Sequence, residues 1–236
     1  MHAEPRIIVV LDDLSDQQAL SLLEQLKPTK CRVKIGKELF TRYGPNLVRE
    51  IHARGFSIFL DLKYHDIPNT VALACRAAAE LGVWMINVHA SGGLAMMQAA
   101  RAAVAEFGDQ RPLLVAVTLL TSLTATDLEM LGIPESPENW VLRLATLTQK
   151  AGLDGIVCSA QEAQALRKAF PTNFCLVTPG IRLAESKADD QQRIMTPQAA
   201  IAAGADYLVI GRPITQAADP AGVLERIRLE TTSKSV

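Results

Sequence analysis

Phe56-Ser57-Ile58-Phe59-Leu60-Asp61-Leu62-Lys63-Tyr64-His65-Asp66-Ile67-Pro68-Asn69-Thr70 reads as a buried strand that passes through a charged end directly into a helix. A parallel strand covered on both faces is nearly all apolar, and the run 56–60 fits that rule. The strand then ends on Asp61 and Lys63. Side chains two apart on a strand share a face. Phe59, Asp61 and Lys63 therefore point one way, and Ile58, Leu60 and Leu62 the other. Charge at the buried end of a strand is costly to desolvate unless it is paired or used. Pro68 fits the first turn of the following helix, with Asp66 just ahead of it as the expected N-cap.

The same strand-then-helix unit recurs along the chain. Strand-like runs fall at 7–11, 31–35, 57–62, 84–88, 113–118, 155–158, 174–177 and 207–210. Helix-like stretches rich in Ala, Leu, Gln and Glu fall at 16–26, 39–53, 68–81, 93–107, 139–151, 160–169, 196–203 and 220–229. Ser15 marks the start of the first helix, and Gly55 and Gly82 suit helix ends. Such alternation implies parallel strands joined by right-handed crossovers. Eight units in 236 residues fit a single α/β domain over 1–236, a (β/α)8 TIM barrel. A doubly wound sheet is the main rival, but Asp12-Asp13-Leu14-Ser15 after the first strand is not the glycine-rich nucleotide loop of that fold.

Composition narrows the function classes. The chain is 49% hydrophobic and 21% charged, with a formal net charge of -1, as in an ordinary globular protein. No basic run gives a nucleic-acid footprint. No apolar stretch reaches the ~18 residues of a membrane span. The apolar run 7–11 is too short for a signal peptide and ends in Asp12. Cys31, Cys75, Cys158 and Cys175 form no CxxC pair and read as small buried hydrophobes in a reducing cytoplasm. The cysteines and histidines lack zinc-ligand spacing.

In a barrel, chemistry sits at the C-terminal ends of the strands. Those ends carry Asp12, Lys34, Asp61 with Lys63, Asn87 with His89, 118–122, the run Thr178 to Arg182, and Gly211-Arg212. The strand starts look blander. Taken singly, Asp12 suits a helix cap, Lys34 a snorkelling strand lysine, and Asp61 with Lys63 a structural ion pair. His65 and His89 read as supporting residues. Together, four ionisable groups on one rim favour a site. Gly211-Arg212 follows the eighth strand, where barrels commonly bind phosphate, and a guanidinium suits bidentate phosphate contact. The polar stretch 182–193 reads as a lid.

These residues resemble the orotidine 5'-monophosphate decarboxylase family. The most specific match is Asp61-x-Lys63-x-x-Asp66, extended through Ile67-Pro68-Asn69-Thr70. A wider phosphate-handling superfamily, including hexulose-phosphate synthases, shares its first part. The likeness is carried further by Val10-Leu11-Asp12, Val33-Lys34-Ile35-Gly36, Val88-His89-Ala90, Leu120-Thr121-Ser122, Pro179-Gly180-Ile181-Arg182, Asp190-Gln191 and Ile210-Gly211-Arg212-Pro213-Ile214. The resemblance implies decarboxylation of orotidine 5'-monophosphate to UMP in pyrimidine synthesis, without metal or organic cofactor. It implies that Asp12 and Lys34 hold the ribose, that Asp61 lies beside the scissile carboxylate, and that Lys63 protonates C6 within a Lys34-Asp61-Lys63-Asp66 array. Thr121 is expected at the pyrimidine, and Arg182, Gln191, Gly211 and Arg212 at the phosphate. Asp66, Ile67 and Thr70 are expected to reach the neighbouring subunit's site, giving a cytoplasmic homodimer with shared active sites. Two other readings are a magnesium-dependent sugar-phosphate lyase and a nucleotide-binding sensor. The first lacks added acidic ligands after strands 2 and 3. The second is disfavoured by the intact charged set.

Overall fold

A computed structural model describes residues 4–182 and 195–232. Its eight strands among those residues close into a parallel barrel in chain order. They are β1 (Ile7–Val10), β2 (Arg32–Gly36), β3 (Ile58–Tyr64), β4 (Met85–His89), β5 (Leu113–Val117), β6 (Gly155–Val157), β7 (Cys175–Thr178) and β8 (Tyr207–Ile210). β8 pairs back onto β1 through Ile8 and Val209, so the sheet has no edge. The helices outside it are α1 (Asp16–Gln25), α2 (Lys37–Ala53), α3 (Pro68–Glu80), α4 (Gly93–Ala105), α5 (Ala125–Met130), α6 (Pro137–Lys150), α7 (Ala163–Ala169), α8 (Pro197–Ala202), α9 (Arg212–Thr215) and α10 (Pro220–Thr232).

The pleat sorts the side chains into two cores. Ile7, Val9, Ile58 and Leu60 face outward and pack with helix residues such as Leu22, Leu39, Ile51 and Val71. Their neighbours Ile8 and Phe59 face inward and join Met85, Val115, Val177 and Val209 in a buried layer that plugs the barrel. This is why the strands read as continuous apolar runs. One step further along the same inward face, the chain changes character: Phe59 gives way to Asp61, and Met85 to Asn87. The apolar plug thus becomes the floor of a polar mouth.

The expected strand face is borne out, with an irregularity. β3 keeps regular register with β2 through Gly36 and Asp61, but its register with β4 shifts between Leu60 and Tyr64. Lys63 sits in that shift with φ 52.

Several expectations needed correction. Asp66 does not cap α3. The N-cap is Ile67, which makes no side-chain cap bond, and the Asp66 carboxylate accepts from the Ile67 N–H at 2.6 Å. Pro68 occupies the first helical position and has no N–H to offer. α2 starts at Lys37 and bends where Gly44 takes φ 60 ahead of Pro45, two residues that local helix propensity disfavours. α5 is an added helix, started by a reciprocal box in which the Thr124 hydroxyl accepts from Asp127 N and the Asp127 side chain accepts from Thr124 N. The strand starts are not uniformly bland: Arg32 is 5% exposed, and its guanidinium lies 4.0 Å over the Trp84 ring at the closed end of the barrel.

Candidate active site

The mouth is built by the ends of three adjacent strands. β1 ends just before Asp12, whose carboxylate accepts from the Gly36 N–H at 2.7 Å and from Lys34 Nζ at 2.5 Å. Gly36 is required there: a Cβ on it would lie 2.5 Å from both Asp12 carboxylate oxygens. β2 carries Lys34, whose Nζ also lies 3.0 Å from Asp61 Oδ2. Asp61 Oδ1 in turn accepts from Lys63 Nζ at 2.5 Å. Asp12, Lys34, Asp61 and Lys63 thus form one row of alternating charge. Each carboxylate meets an ammonium, which offsets the desolvation that burial imposes.

The two lysines differ. The Lys34 side chain is 7% exposed and lies between two carboxylates, whereas that of Lys63 is 25% exposed and opens onto the cavity. Burial pulls the Lys34 ammonium down, but Asp61 and then Asp12 outweigh it and hold it above the ordinary lysine value. Burial pushes the Asp61 carboxyl up, but Lys34, Lys63 and the Asn87 hydrogen bond hold it below the usual carboxylate range. Lys34 is therefore the buried member of the row, and Lys63 the member that faces the cavity.

The cavity above the row has a volume of about 440 Å³. Phe59 and Val209 form part of its floor. Leu119, Leu120 and Thr121 line the wall after β5, and Pro179, Gly180 and Arg182 the wall after β7. Gly211 and Arg212, after β8, line the cavity next to the end of β1. Two guanidiniums, an apolar floor and a neutralised charge row around one cavity suit an anionic ligand with an apolar, planar part. Among the described residues, no three His, Cys, Asp or Glu side chains gather as a metal-binding group.

Of the residues singled out from sequence, Asp12, Lys34, Asp61, Lys63, Thr121, Arg182, Gly211 and Arg212 converge on this cavity. Asp66, Ile67 and Thr70 do not line it; Asp66 and Ile67 lie exposed between β3 and α3, and Thr70 is exposed in the first turn of α3. The Asp66 part of the expected four-residue array is therefore not formed within one chain. Gln191 and most of the expected lid lie outside the described residues. His65 and His89 stack beside the row at 5.5 Å between ring centroids. Burial, with His65, Lys37 and Lys63, pushes His89 down to about 4, against the pull of Asp61. Cys31, Cys75 and Cys158 are buried, and burial pushes the first two thiols up to about 12.

Residues 5–227 match the Orotidine 5'-phosphate decarboxylase / HUMPS family. The chain belongs to this family. Its sequence is 62% identical over 221 residues to the orotidine 5'-phosphate decarboxylase of Chromobacterium violaceum, covering 94% of this chain and 89% of that one. It is 59% identical over 227 residues to the enzyme of the same name from Tolumonas auensis, covering 96% and 98%. The crystal structure of orotidine 5'-phosphate decarboxylase from Lactobacillus acidophilus superposes with a TM-score of 0.88 at 36% identity, over 98% of this chain and all of that one. The closed barrel expected from the strand-helix alternation is thus the fold of a family member.

Three residues play parts in the geometry of the site that the sequence does not show. Gly36, by lacking a side chain, makes room for the Asp12 carboxylate. Asp13 adopts φ 64 on the cavity rim, and with Lys63 it is one of two non-glycine residues of positive φ among those described. Asn87 is fully buried in β4, between Ile86 and Val88. Its polarity in that run was the available signal, and its partners were not readable because they lie on the neighbouring strand.

Proposed function

We propose that this protein is a carboxy-lyase that converts orotidine 5'-monophosphate to UMP and CO2 in de novo pyrimidine biosynthesis. The observation that carries the proposal is the Lys63 ammonium, facing the cavity and fixed 2.5 Å from Asp61 in a row already saturated by Lys34 and Asp12. Cleavage of the C6–carboxylate bond leaves its electron pair at C6, where no ring position can delocalise it as an enolate. An ammonium at C6 stabilises that charge electrostatically. A proton then passes from Lys63 Nζ to C6, giving UMP, and the amine left behind takes up a proton from water. Because the row is paired before substrate arrives, little reorganisation accompanies charge development. Asp61 lies beside the departing carboxylate.

Asp12 and Lys34 are assigned to the ribose and Thr121 to the pyrimidine. Arg182, Gly211, Arg212 and Gln191 are assigned to the phosphate. Phosphate binding at the far end of the ligand holds C6 against Lys63, so remote binding energy serves the reacting centre. The exposed positions of Asp66, Ile67 and Thr70 suit a homodimer in which each subunit completes its partner's site. We place the enzyme in the cytoplasm with its soluble nucleotide substrate.

The test is the loss of orotidine 5'-monophosphate absorbance on addition of purified protein, with and without EDTA. Turnover at the same rate in both supports a metal-independent decarboxylase. Turnover abolished by EDTA supports a metal-dependent lyase, and tight UMP binding without turnover supports a sensor.

A further inference from the structure

Asn87 makes two hydrogen bonds that meet at the reacting lysine. Its Oδ1 accepts from the Lys63 backbone N–H at 2.8 Å, and its Nδ2 donates to Asp61 Oδ1 at 2.7 Å. That carboxylate oxygen is the one that also accepts from Lys63 Nζ. Only this orientation of the amide works. Turned over, it would set an NH2 against an N–H and a carbonyl against a carboxylate. The side chain is fully buried, so neither bond is exchanged for water.

The backbone explains why such a clamp is needed. Lys63 adopts φ 52, a conformation that costs a non-glycine residue roughly 1–3 kcal/mol and persists only where its surroundings hold it. It falls in the stretch where the β3–β4 ladder loses register, between Leu60 and Tyr64. Its N–H is bonded instead by the Asn87 side chain, which fills the gap in the ladder. The left-handed turn keeps the Lys63 Nζ on the same side as Asp61, over the cavity. One amide therefore fixes the backbone from which the proton donor projects and the rotation of the carboxylate beside it.

We infer that Asn87 is a positioning residue for the decarboxylation, holding Lys63 and Asp61 in register with C6 without touching the substrate. The inference rests on the proposed reaction, and one set of measurements separates the two. Wild-type turnover of orotidine 5'-monophosphate tests the reaction; the ratio of variant to wild type tests Asn87. Asn87→Asp keeps an acceptor for the Lys63 N–H and replaces the donor by a carboxylate facing Asp61. Asn87→Ala removes both bonds. Misplacement of reacting groups on the ångström scale is worth about 100-fold in rate, so kcat should fall about 100-fold or more in each. UMP affinity, which depends on groups at the ribose and phosphate, should stay within about threefold of wild type. UMP titration also counts folded sites, so kcat is read per binding-competent site. If Asn87→Ala does not fold, the nearly isosteric Asn87→Asp decides. A kcat within about threefold of wild type in a folded variant overturns the inference, as does a loss of UMP affinity parallel to the loss of kcat.

Discussion

Replacing Lys34 by Met tests how the charge row is held. The side chain lengths are similar, so the change removes the ammonium while leaving most of the packing. At 3.0 Å and an effective dielectric near 20, the attraction to Asp61 alone is about 5 kcal/mol before desolvation is counted. Breaking a buried pair from one side is generally worth about 3–5 kcal/mol. Asp61 retains Lys63 and Asn87 as partners, and the Asp12 side chain, 28% exposed, can turn to water. The low end applies, and Lys34→Met should lower unfolding free energy by about 3 kcal/mol at pH 7. The pH dependence has a definite sign. In the wild type the Asp61 carboxyl is held below its unfolded value, so its stabilisation is present above that value and is lost as pH falls through the folded one. Without Lys34, one of the groups that offset burial is gone and the carboxyl protonates at higher pH than in the wild type, which relieves the variant first. The gap between the two proteins should therefore narrow as pH falls from 7 toward the carboxylate range. Urea unfolding followed by Trp84 and Trp140 fluorescence, at one protomer concentration, measures both. A gap under about 1 kcal/mol at pH 7 would refute the reasoning, and so would one that does not change with pH.

Gly36→Ala places a Cβ 2.5 Å from the Asp12 carboxylate and should turn it away from Lys34; UMP affinity should fall about tenfold or more with the fold intact, read by calorimetry and circular dichroism. Arg212→Ala should reduce kcat/KM on orotidine 5'-monophosphate by about 100-fold, with a much smaller loss on the substrate lacking phosphate, because the guanidinium acts through the phosphate. Equal losses on both substrates would contradict that role. Mixing inactive Asp66→Asn with inactive Lys63→Ala should restore about a quarter of wild-type activity after subunit exchange, since half the dimers are mixed and each holds one intact site. No recovery despite proven exchange would show that the sites are not shared.

Much of the barrel was legible because most strand residues are buried on both faces and several helices begin or end on a recognisable residue. Ser15 caps α1 as expected, and the phase of Phe59, Asp61 and Lys63 survives folding. What could not be read depends on contacts between strands. The left-handed Lys63 follows from a register shift against β4, which no local pattern in 58–64 announces. Asn87 gains its role from two partners on β3, 24 and 26 positions away in sequence. Asp66 was misread for a local reason: it suits a cap by residue type, but Pro68 leaves the first helical position without an N–H and Asp66 bonds Ile67 instead.

In the proposed reaction Lys63 stabilises charge at C6 and then protonates it. Single-turnover decarboxylation by Lys63→Ala, with UMP affinity measured on the same preparation, tests this most directly. Loss of both the electrostatic and the proton-transfer contributions should reduce the rate by about 10,000-fold or more while UMP still binds. A rate within about tenfold of wild type at preserved affinity would contradict the assignment.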